Sequence, residues 1–158
     1  MIFSNKSFSK KFSLLLWITV LIFVGSLMGI MTKPNMAWYH SLNHSFLKPP
    51  DKAFPIVWTC LYGILGFCGW RLWQEPPSSS LKFMKILYIS QLLLNWSWTP
   101  LFFQYHLTGF SLLVLVMINS LVIALMGLTY KPLKEVFFLL IPYVIWLLWA
   151  TYLNYYIV

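Results

Sequence analysis

A chain of 158 residues has room for one domain, spanning 1–158, and only 9% of this one is charged while 60% is apolar. Ordinary soluble domains are about a quarter charged, so this composition excludes a water-facing globular surface. The net charge of +8 would suggest nucleic acid in a soluble protein, but here the basic residues follow a membrane topology, and no nucleic acid partner is expected.

Charge-free tracts place the elements. No Asp, Glu, Lys or Arg occurs in 12–32, 53–70, 86–130 or 136–158. A helix crossing a bilayer needs about 20 largely apolar residues, so the first, second and fourth tracts hold one span each and the third must hold two. The reading is an all-α membrane protein, a bundle of five transmembrane helices at roughly 13–32, 54–73, 84–103, 110–130 and 136–156.

The first span follows a basic leader with Lys6, Lys10 and Lys11. Its apolar run is too long for a secretory signal, and no small-x-small cleavage site follows before Thr32-Lys33-Pro34, so the segment is expected to stay in the mature protein. Gly25 and Gly29 form a small-xxx-small face that lets another backbone approach, within one bundle or between two subunits. The outer loop, 33–53, carries Trp38-Tyr39, His40, His44 and Lys48-Pro49-Pro50. Prolines stiffen it, and a long stiff aromatic loop reads as a lid. His40 and His44 are four apart, but without a third ligand they make no metal site.

The second span brings Trp58 and Tyr62 one turn apart, Gly63, Gly66 and Gly69, and Cys60 and Cys68, which share a helix and cannot bridge each other. Pro76-Pro77-Ser78-Ser79-Ser80 is a short connection. On the third span Gln91, Asn95, Trp98 and Phe102 fall at i, i+4, i+7 and i+11, a single stripe. Amides inside a bilayer need partners, so Gln91 and Asn95 should face protein or a cavity. The break before the fourth span falls at Gln104–Gly109. The fifth span repeats the pattern with Tyr143, Trp146, Ala150 and Leu153 or Asn154, the small Ala150 leaving room beside Trp146. Trp17, Trp70 and Trp73 read as interface belts.

Lys6, Lys10, Lys11, Arg71, Lys82, Lys85, Lys131 and Lys134 share one side, against Lys33, Lys48 and Lys52 on the other. Eight against three places the N-terminus in the cytoplasm and accounts for the basic charge as topology and contact with anionic membrane lipid. The second span then starts outside while the third and fifth run outward, so Trp58, Asn95, Trp98 and Trp146 all lie in the outer half or near mid-membrane, beneath the loop with Trp38. An aromatic-walled cavity with an amide under a lid suits a flat hydrophobic ligand with a polar edge. Asp51, Glu75 and Glu135 sit apart in loops, and no carboxylate lies in a span, so no catalytic acid–base pair, metal or cofactor is expected.

These same residues carry a family likeness. Trp38-Tyr39, Pro49-Pro50 and Pro55-Ile56-Val57-Trp58 running to Leu61-Tyr62 and Gly66, then Gln91 to Asn95 and Trp98 with Leu101-Phe102-Phe103, then Pro142-Tyr143, Trp146, Ala150 and Leu153-Asn154 resemble in order and spacing the motifs of the TspO/MBR proteins (tryptophan-rich sensory and translocator proteins). The likeness implies a five-helix bundle, commonly a homodimer, that binds porphyrin-type tetrapyrroles or other hydrophobic small molecules as sensor or carrier. It implies a ligand pocket containing Trp38, Trp58, Asn95, Trp98, Trp146 and Ala150, to which the stripes add Tyr62, Gln91 and Tyr143. Trp58 and Trp146 match the tryptophans linked in the family to light- and oxygen-dependent porphyrin degradation, which makes a porphyrin-degrading enzyme the alternative and a structural subunit without its own ligand the third reading. The loop departs from the family at His44-Ser45, where Lys-Pro is common, and at Lys52, where an aromatic often stands. The sterol-recognition pattern lacks its basic end, because Tyr155 is followed only by Tyr156-Ile157-Val158. A bacterial plasma membrane is the expected location.

Overall fold

The computed structural model describes residues 3–158, with side chains from Ser9 onward, and among these residues it is helical with no strand. Its elements are α1 (Phe3–Thr32), a 3-10 turn (Lys33–Asn35), α2 (Met36–Ser41), α3 (Ala53–Gln74), α4 (Ser79–Thr99), a π-turn (Pro100–Gln104), α5 (Thr108–Thr129) and α6 (Lys134–Ile157). The five long helices are the expected spans. Helices α1, α3, α5 and α6 are each long and apolar enough to cross a membrane, making this a multi-span membrane protein. Helix α4 is long but less apolar, because its inward stripe includes Gln91, 1% exposed, and Asn95, 4% exposed. These two amides are turned to the bundle, where partners can satisfy them.

The helices pack as neighbours α1 on α3, α3 on α6, α6 on α5 and α5 on α4, with α4 also meeting α1. Glycines set the α1–α3 distance. A Cβ on Gly66 would lie 2.7 Å from the Ile18 backbone, one on Gly69 would press into the Trp17 ring and the Tyr88 hydroxyl, and one on Gly25 into the Tyr62 ring. Gly29 meets nothing and borders open space instead. These close approaches lie within one chain. They also revise the reading of Trp17 as belt alone: its ring packs 5.1 Å from Trp73 and 6.3 Å from Tyr88, and the Tyr88 hydroxyl donates to the Leu65 carbonyl at 2.7 Å.

Two departures from the expected boundaries matter for the site. The outer segment is not loop throughout, since Trp38 and Tyr39 stand on α2. The third span changes pitch at Pro100, which has no N–H to give and whose ring opposes a continued α-helix. The chain widens into a π-turn there, with Tyr105 N–H donating to the Pro100 carbonyl at 3.0 Å and Leu107 N–H to the Leu101 carbonyl at 3.0 Å. Such turns recur at functional sites. His106 then takes φ 55°, the left-handed region that is uncommon for a non-glycine residue, and reverses the chain toward α5.

Candidate functional site

A cavity of about 430 Å3 opens at the α2 end of the bundle, between α1, α3, α4 and α6. Helix α3 contributes Phe54, Trp58 and Tyr62; α4 and its π-turn contribute Asn95, Trp98 and Phe102; α6 contributes Trp146 and Ala150. Ile22, Gly25 and Gly29 form the α1 side. Trp146 is the corner of the aromatic wall. Trp58 meets it edge-on at 6.3 Å and 88°, and Phe54 at 6.0 Å and 75°. Trp98 stacks on Phe102 at 5.1 Å and 17°, so the α4 side of the cavity carries a parallel aromatic pair.

Behind the wall runs a directed chain of buried hydrogen bonds. The Tyr62 hydroxyl donates to Asn95 Oδ1 at 2.7 Å, Asn95 Nδ2 donates to the Tyr143 hydroxyl at 3.1 Å, and that hydroxyl donates to Gln91 Oε1 at 2.8 Å. Each hydroxyl has a single proton and gives it onward, so the chain fixes the direction in which every group points. One lone pair of Asn95 Oδ1, one Asn95 N–H and the Tyr62 oxygen lone pairs are left over at the cavity end. Trp98 Nε1 is already committed to Asn154 Oδ1 at 3.2 Å, whereas the buried Trp146 Nε1 has no partner within the protein.

Asn154 holds the frame. Besides accepting from Trp98 it accepts from the Ser111 hydroxyl at 3.0 Å and donates to the Thr108 carbonyl at 2.9 Å. One amide thus ties α4, α5 and α6 together at the mouth. The stripe on the fifth span offered Leu153 or Asn154 at this register, and both border the cavity.

The cover is Tyr39, 6% exposed. Its ring lies 5.6 Å from Phe103 and 6.4 Å from Phe54, with the Lys48 ammonium 5.1 Å above it. Trp38, the residue that the family likeness assigns to the pocket, does not border the cavity. It stacks on His106 at 3.8 Å and 15° and meets Phe102 edge-on at 5.6 Å, latching α2 to the α4–α5 turn. The segment after α2 is tied down by its own polar residues. His44 Nε2 bonds the Tyr39 carbonyl at 2.7 Å, and Ser45, at the position departing from the family, pairs with the Tyr152 hydroxyl at 2.9 Å. His40 Nε2 takes Asp51 at 2.9 Å, and Lys48 takes the other oxygen at 3.2 Å. The two histidines therefore have separate partners. Slight burial works against the Asp51 carboxylate, but the hydrogen bonds and charges of Lys48 and His40 hold it below its usual range.

Of the residues expected to form the pocket, Trp58, Tyr62, Asn95, Trp98, Trp146 and Ala150 border the cavity. Gln91 and Tyr143 stand one layer back and brace Asn95. Sequence spacing missed Tyr39 as the covering residue, although it was the other half of the Trp38-Tyr39 pair, and missed Phe54, whose only signal was its place one turn before Trp58.

Comparison with known proteins gives a consistent picture. The sequence profile of the TspO/MBR family matches residues 17–158. The chain is 32% identical over 139 residues to a translocator protein of Sus scrofa, covering 84% of this chain and 82% of that one. It is 34% identical over 128 residues to a tryptophan-rich sensory protein of Cereibacter sphaeroides, covering 80% and 78%. A tryptophan-rich protein TspO of Chlorobaculum tepidum is 28% identical over 151 residues, covering 90% and 92%.

Proposed function

The chain belongs to the TspO/MBR family, and from that premise we propose that it binds porphyrin-type tetrapyrroles, or similar flat hydrophobic molecules, in the covered cavity and acts as sensor or carrier for them. The observation that carries this reading is the pairing of an aromatic wall, Trp58, Trp98 and Trp146, with a hydrogen-bonded edge, Tyr62 and Asn95, around one space of about 430 Å3. That volume falls within the range of small-molecule sites, which are mostly apolar with a few placed polar groups. A flat ring stacks or packs edge-on against the tryptophans, and its polar periphery meets the remaining Asn95 N–H.

In this reading Trp58, Tyr62, Asn95, Trp98, Trp146 and Ala150 contact the ligand. Gln91 and Tyr143 hold Asn95 in place, and Trp38 keeps the cover shut. The names of the relatives, translocator and sensory protein, favour carriage or sensing. Degradation of porphyrin draws no separate support, because the edge-on contact of Trp58 with Trp146 is ordinary aromatic packing.

The N-terminus is cytoplasmic in this proposal and the cavity opens on the far side of a bacterial plasma membrane, on the balance of Lys and Arg. The functional unit is a homodimer. Helix α1 supports this, for Leu21 is its one buried residue among those described while Phe12, Leu15, Phe23 and Ile30 are exposed, a face for lipid and for a second copy.

Titration of purified protein with protoporphyrin, followed by quenching of tryptophan fluorescence, tests the binding. Saturable quenching that weakens in Trp146→Phe and Asn95→Ala is expected. Quenching that does not saturate, or is identical in both variants and the parent, would sink the proposal.

A further inference from the structure

At the opposite end of the bundle from the cavity, a second and more open groove of about 760 Å3 lies between the end of α3 and the start of α4. Its upper rim carries Lys82 and Lys85, and its lower part is Ile86 and Ile89, which are exposed large apolar residues. The side wall is Trp73. That ring is held by Trp17 at 5.1 Å and Tyr88 at 6.0 Å, and the Lys85 ammonium stands 4.8 Å over its face. Cation and aromatic wall are therefore positioned before anything binds.

These two charges have no acidic partner among the described residues. The whole sequence contains Asp51, Glu75 and Glu135 as its only acidic side chains. Asp51 is taken by His40 and Lys48 in the outer segment, and Glu75 and Glu135 are both taken by Arg71, the latter at 2.6 Å. Lys82 and Lys85 consequently face the groove with no carboxylate to neutralise them among the described residues. A cationic rim above an apolar floor, at the end of membrane-spanning helices, has the polarity profile of one molecule in particular: a phospholipid whose headgroup is anionic and whose acyl chain runs down beside the helix.

We propose that this groove is a binding site for an anionic phospholipid, with the headgroup phosphate between Lys82 and Lys85 and the glycerol and upper acyl chain against Trp73, Ile86 and Ile89. The site is separate from the ligand cavity and does not depend on it. Diffuse attraction of all basic residues to an anionic surface would make every lysine at this end equivalent; the groove makes two of them special.

The test uses the full-length, delipidated protein in neutral detergent, with bound lipid counted by native mass spectrometry after addition of phosphatidylglycerol or phosphatidylcholine. Lys82→Gln with Lys85→Gln should lower phosphatidylglycerol affinity about tenfold or more, as expected for two lost surface cations, and leave phosphatidylcholine unchanged. Lys82→Arg with Lys85→Arg should restore it. Lys131→Gln with Lys134→Gln, which removes the same charge at the α5–α6 turn, should have no comparable effect. Equal losses from the two Gln pairs would reduce the groove to general electrostatics. No loss from the first pair, or complete displacement of the lipid by millimolar inorganic phosphate, would also overturn the proposal.

Discussion

Trp38 and His106 stack nearly parallel, with ring centroids 3.8 Å apart and planes 15° from each other, and so join α2 to the turn between α4 and α5. The contact is made by a residue at positive φ, in the turn that leads into α5. Neither ring borders the cavity. In the proposed binding mode this contact would hold Tyr39 in place over the ligand.

A latch of this kind governs release more than affinity contacts. Trp38→Ala removes a stacked pair worth about 0.5–1.5 kcal/mol while leaving the cavity wall intact. It should raise the rate of porphyrin dissociation roughly threefold to tenfold. Stopped-flow recovery of tryptophan fluorescence measures that rate, and His106→Ala should match it. Replacing Pro49 and Pro50 with Gly should also speed dissociation more than it slows association, because a pre-stiffened segment costs less entropy to order. An unchanged rate in all three folded variants would mean that the outer segment is only a connector.

Asn95 is the link through which Tyr62 and Tyr143 are both satisfied. Asn95→Ala strands the Tyr62 hydroxyl and takes from Tyr143 one of its two partners, and should cost roughly 1–3 kcal/mol in stability, beyond its effect on ligand binding. Gln91→Leu, one bond further back, should destabilise less because Tyr143 keeps its bond from Asn95. Denaturation midpoints in one detergent, taken without ligand, would rank them. If Gln91→Leu were the more damaging variant, the directed chain would have its weight elsewhere.

The glycines separate packing from space. Gly66→Ala drives a methyl into the Ile18 backbone, with no flexible side chain to yield, and should destabilise by about 1–3 kcal/mol. Gly29→Ala meets nothing within 4 Å and should leave stability alone. Its methyl enters the cavity rim, so any effect belongs to ligand binding. Thermal unfolding of the two variants gives the comparison, and equal losses would contradict the α1–α3 packing described above.

Orientation has its own readout. With a cytoplasmic N-terminus, reporter fusions at the C-terminus should be active only in the type that works outside the cytoplasm. Activity of the cytoplasmic type would invert the topology and place the cavity on the inner side.

The five spans are legible along the chain, because charge-free length is a one-dimensional property that the bilayer imposes directly. So are the inward-looking faces of three helices: Trp58 with Tyr62, Asn95 with Trp98, and Trp146 with Ala150 follow the helical repeat, and all six border one cavity. Depth was where spacing ran out. Gln91 and Tyr143 lie on the same stripes as Asn95 and Trp146, yet they sit a layer behind the wall, since a stripe states a direction and not how far a neighbouring helix reaches across it. The cover was decided by tertiary structure alone. Whether Trp38 or Tyr39 turns to the cavity depends on α2, and α2 is a single short helix with too few residues to impose its own orientation. It is oriented instead by a π-turn at Pro100 and by His106 beyond it, more than sixty residues along the chain, and no local pattern could have linked them.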